Sequence, residues 1–69
     1  MTVKELRLIL CDNQSVTIIE SISSQEEFHC KDLFNGKASN ISIDFSDCVV
    51  KFIWISPAEK NTLIIEIKE

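Results

Sequence analysis

Hydrophobic and polar positions alternate in most of this chain. In residues 5–11, Leu6, Leu8 and Leu10 point one way and Glu5, Arg7, Ile9 and Cys11 the other. A period of two predicts a half-buried strand. Asp12-Asn13-Gln14 is a turn by composition. Residues 15–22 alternate again, with Val16, Ile18 and Ile22 on one face and Thr17, Ile19 and Ser21 on the other. These two strands most simply form a hairpin. Residues 40–46 alternate cleanly, Ile41, Ile43 and Phe45 against Ser42, Asp44 and Ser46. Cys48 to Ile55 follows, with seven apolar residues in eight, mostly β-branched or aromatic, and it is stopped by Ser56-Pro57. It is too short for an ordinary core helix and suits an interior strand with Phe52 and Trp54 in the core. Residues 56–61 form a loop. A last strand places Leu63, Ile65 and Ile67 opposite Thr62, Ile64, Glu66 and Lys68.

Residues 23–36 support two readings. Ser23 or Ser24 with Glu26 or Glu27 makes a capping box, Glu27 and Lys31 stand in the favourable i,i+4 order, and Gly36 is placed for a C-cap. The alternative is a strand turning at Asn35-Gly36, which sets Cys30 opposite Ile41 and Phe28 opposite Ile43. Poor strand formers fill both arms near that turn, so the helix is preferred. The expected fold is α+β: one small domain over residues 1–69, with a five-stranded, mostly antiparallel sheet and one short helix in the order ββαβββ. Strand orders 2-1-5-4-3 and 1-2-3-4-5 both keep the fourth strand interior. The alternative is an all-β six-stranded meander or small barrel. The opening of two strands and a helix resembles a β-grasp domain in topology alone.

Charge narrows the partners. Eleven acids against seven bases give a net charge of −4 over 69 residues. That disfavours nucleic acid and anionic membrane, which reward Lys and Arg. No apolar run approaches the roughly 18 residues of a membrane span, and charges occupy the start of the chain, so a cytoplasmic protein is expected. A domain this small buries only about 60% of its unfolded surface, and a second copy of the chain is a natural source of further burial.

Catalytic and metal chemistry find little support. Cys11, Cys30 and Cys48 lack the paired spacing of a zinc site and read as small buried hydrophobes, with no internal disulfide. Ser24, His29 and Asp32 are close in sequence, whereas triads draw on separated segments. One glycine cannot make a phosphate loop. No catalytic residue, cofactor, metal or small-molecule substrate is expected.

The sheet's second face stands out. With Val50, Phe52 and Trp54 turned inward, Ile9, Ile19, Val49, Ile53, Ile55 and Ile64 remain on a face that one short helix cannot cover. The expectation is a non-enzymatic protein-interaction module, acting through a sheet face or edge strand and self-associating as a two-fold dimer. Its contact residues are Val49, Ile53, Ile55 and Ile64. Glu26 and Glu27 join them in the alternative reading, an acidic inhibitor that mimics nucleic acid and blocks a nucleic-acid-binding enzyme. A third possibility is an enzyme subunit whose site a partner completes.

Overall fold

The chain begins with a helix where period two suggested a strand. In the computed structural model, which describes residues 1–23, 28–59 and 61–68 and the side chains of these outside 21–30, helix α1 spans Val3–Ile9. Thr2 caps it. The Glu5 N–H donates to Thr2 Oγ1 at 3.3 Å, and the Thr2 N–H donates to Glu5 Oε1 at 3.1 Å. The first-turn N–H groups of Val3 and Lys4, which no helix satisfies itself, donate to the carbonyls of Cys48 and Ser46. Val3 and Leu6 are buried and Leu10 packs beside them, one helical stripe. Leu8 and Ile9 point to solvent.

Four strands follow: β1 (Ser15–Ser23), β2 (Phe28–Lys37), β3 (Val49–Ile55) and β4 (Thr62–Lys68). They form a mixed sheet in the order β2-β1-β4-β3. β1 pairs antiparallel with β2, β3 pairs antiparallel with β4, and the two hairpins join through a parallel β1–β4 pair. The expected five-stranded sheet, both strand orders given above and the all-β alternative are thus corrected, while the α+β class broadly fits.

Three local corrections have physical causes. Residues 28–37 are strand β2, because β1 offers them a partner; Asn35 and Gly36 lie inside it, opposite Thr17 and Val16. A Cβ at Gly36 would lie 3.1 Å from Phe34 Cζ, so a larger residue there would require the ring to shift by a few tenths of an ångström. A helix or a turn start over 24–27 falls outside the described residues. Residues 40–46 form no strand. They cross the sheet's α1 side in two 3-10 turns, Ala38–Asn40 and Ile43–Phe45, the second capped by Ser42 Oγ, which accepts the Asp44 N–H at 3.2 Å. Finally, β3 is an edge strand, because the segment expected to flank it crosses the core side instead.

The core lies between α1, the crossover and one sheet face. Val3, Leu6, Val16, Ile18, Ala38, Ile41, Ile65 and Ile67 form it, with the rings of Phe34 and Phe45 edge-to-face at 6.5 Å. Arg7 Nη2 donates to the Ser39 carbonyl at 3.1 Å and fastens α1 to the crossover. The β3–β4 loop turns at Asn61, whose φ of 69° is left-handed, a region asparagine tolerates. No helix among the described residues is long and apolar enough to cross a membrane.

Candidate functional site

β3 carries the most exposed apolar side chains in one run. Val49 is 49% exposed, Phe52 58%, Ile53 41%, Trp54 38% and Ile55 63%. The cause is a register shift at Lys51: Val50 stands opposite Ile67, and Phe52 stands opposite Glu66. One extra residue in a strand moves everything beyond it to the other face. Phe52 and Trp54 therefore lie on the open face, beside Ile64 and Glu66, and not in the core as their spacing from Val50 implied. Ile53 and Ile55 stand opposite Ile65 and Leu63 on the α1 side, but at the sheet's margin. The expected contact set is thus divided: Ile53 and Ile55 share one face, Ile64 lies half-buried on the other, and Val49 is opposite Lys68 at the strand's start. Glu26 and Glu27 fall outside the described residues.

The backbone of this edge is equally specific. Ser56 donates its N–H to the Thr62 carbonyl at 2.9 Å, and Thr62 stands next to Leu63, the partner of Ile55. Antiparallel pairs alternate between bonded and non-bonded. Trp54 and Phe52 therefore turn their N–H and C=O towards β4, while Ile53 and Ile55 turn theirs outward. The start of the outer edge is occupied. Thr2 bridges Val49, and the Val50 N–H donates to the Met1 carbonyl at 2.8 Å. Beyond it, Pro57 supplies no N–H. The open edge is the stretch from Lys51 to Ile55. Lys51 Nζ lies 3.9 Å from Glu66 Oε2 and 5.7 Å from the centre of the Phe52 ring. The opposite edge, β2, is guarded differently: Lys31, Asp32, Asn35 and Lys37 are exposed along it, the charged pattern that discourages edge pairing.

An open groove of about 680 Å³ runs between α1 and the second 3-10 turn. Exposed Leu8 and Ile43 meet there, with Lys4 and Arg7 beside Asp12 and Asp47. That mixture of signs lends no support to a phosphate-like track of acids. The hydrogen bonds of Glu5 to the Thr2 backbone N–H and hydroxyl hold its carboxyl below the ordinary value. Cys11 is exposed, contrary to expectation, because it leaves the end of α1; Cys48 is half-buried against the core. The side chains of His29 and Cys30 are outside those described. Among the described residues no group of three or more His, Cys, Asp or Glu could hold a metal ion. No protein-family model, curated protein or solved structure matches the chain at a significant level of similarity.

Sequence reasoning missed Phe52 and Trp54 as surface residues. The signal was Lys51, a lone charge inside an apolar strand. Such a lysine marks an edge.

Proposed function

We propose that this protein is a non-enzymatic interaction module that receives an extended protein segment along the free edge of β3. One observation carries the reading: Phe52 to Ile55 are exposed apolar residues on an edge strand whose Ile53 and Ile55 backbone groups face outward. Strand addition uses such an edge, with main-chain hydrogen bonds supplying affinity and alternate side chains supplying specificity. The free thiols of Cys11 and Cys48 suit a reducing, cytoplasmic setting.

Ile53→Pro tests this directly. It removes one outward N–H and no bond to β4, a position where an edge strand tolerates proline. Immobilised parent protein should retain extended, β-prone apolar peptides from a displayed library, and Ile53→Pro with an unchanged far-ultraviolet spectrum should not. Equal retention by both, or none by parent protein immobilised sparsely enough to be monomeric, would refute the proposal.

A further inference from the structure

We infer that the segment received by β3 is β3 of a second copy, paired antiparallel about a two-fold axis at Trp54 to give one continuous eight-stranded sheet. The inference rests on the reading that this edge binds protein, and names the partner.

The accessible surface is large for the mass of the chain. A monomer of 7.9 kDa has an expected accessible surface of about 4,400 Å². This chain exposes 5064 Å². The difference, roughly 650 Å², approaches the ~800 Å² that each partner contributes to a standard interface. The molecule is thin, 38 × 27 × 16 Å, and extending its sheet sideways buries the margin where the exposed isoleucines and aromatics stand.

The edge also fits itself in one register. A strand pairs with its own copy only where both opposed residues turn their backbone groups the same way. Four centres from Phe52 to Ile55 satisfy this. Centring on Phe52 sets Ile55 of the second copy opposite Val49, which Thr2 already bridges. Centring on Ile53 sets Ser56 of the second copy opposite Val50, where the Met1 carbonyl already accepts the Val50 N–H. Centring on Ile55 sets Pro57 of the second copy opposite Ile53 and loses a donor. Centring on Trp54 sets Ile53 opposite Ile55 of the second copy, and Ile55 opposite its Ile53. All four outward N–H groups then find carbonyls. Trp54 faces Trp54 across a non-bonded pair, where cross-strand side chains approach most closely. The two isoleucine pairs meet on the opposite face. No like charges come together, because Phe52 to Ile55 carry none and Lys51 falls opposite Pro57.

Sedimentation equilibrium from low to high micromolar concentration tests the pairing. The parent should reach twice the monomer mass. The sole tryptophan should report the same transition by a concentration-dependent near-ultraviolet signal. Ile53→Lys with Ile55→Lys should sediment as a folded monomer, because lysines then oppose lysines. Ile53→Lys with Ile55→Glu should restore a salt-sensitive dimer, because this register sets each new lysine opposite a new glutamate. A parent that stays monomeric at high micromolar concentration overturns the inference. So does a dimeric double-lysine variant, or a lysine–glutamate variant no more dimeric than it. The peptide-retention test is read separately: a monomeric parent that retains peptides through Ile53 leaves the module reading standing and removes only the second copy.

Discussion

Ile65→Ala and Trp54→Ala should differ in stability in the order opposite to side-chain size. Ile65 has no exposed surface; it stands between Ile18, also fully buried, and Ile53 in the sheet, and it belongs to the cluster that includes Val3 and Leu6. Truncating a buried isoleucine costs about 2–5 kcal/mol, the lost transfer energy plus the cavity left behind. So small a core supplies only about 3–5 kcal/mol in total. Ile65→Ala should therefore unfold with little cooperativity or show a urea midpoint lowered by ~2 M or more, taking a slope of ~1 kcal/mol per molar. Trp54 is 38% exposed on an edge strand. Full burial of a large apolar side chain is worth about 1.5–3 kcal/mol, so its partial loss in the monomer costs roughly 1–2 kcal/mol. Urea titration followed by far-ultraviolet circular dichroism, at low micromolar concentration where the edge is unpaired, ranks the two. If Trp54→Ala proves the more damaging, Trp54 is a core residue and the Lys51 register shift is not where the structure places it.

Two further outcomes follow from local geometry. A carboxyl held below its ordinary value of 4.5 stabilises the fold above that pH, and the contribution fades as pH falls through the lowered folded-state value; Glu5→Gln should therefore lose less stability than the parent on acidification, seen as a flatter acid limb in the urea midpoint. Asn61 is left-handed at φ 69°, so Asn61→Val should lower thermal stability by about 1–2 kcal/mol while Asn61→Gly stays close to the parent, measured by calorimetry.

The strands that were legible are those whose own pattern matches their burial. Thr17 and Ile18 alternate as β1 requires, and Leu63 to Ile67 form β4 within a residue of their reading. The loops at Asp12–Gln14 and Ser56–Asn61 followed from turn chemistry. At the N-terminus, Leu6, Leu8 and Leu10 suit a strand, yet Val3, Leu6 and Leu10 suit a helix equally well. The deciding feature was Thr2 with Glu5, a capping box directly before the apolar run. Residues 28–37 look helical by Lys31 and Gly36, and pairing with β1 overrides that preference. Ile41, Ile43 and Phe45 alternate without forming a strand, because Ser42 closes a 3-10 turn on Asp44. The candidate edge was half legible. Ile53 and Ile55 are recognisable from the uncovered isoleucines, but Phe52 and Trp54 depend on a register shift that alternation alone does not reveal.

Amide hydrogen exchange, read residue by residue along β3 at rising protein concentration, tests most directly whether this edge is the binding surface and its own partner. The amides of Phe52 and Trp54, turned towards β4, should be protected at every concentration. Those of Ile53 and Ile55 should exchange quickly in dilute solution and become protected together as the dimer forms. Ile53 and Ile55 amides that remain fast in a concentrated, dimeric sample would contradict the account, because the copies would then meet somewhere other than the free edge of β3.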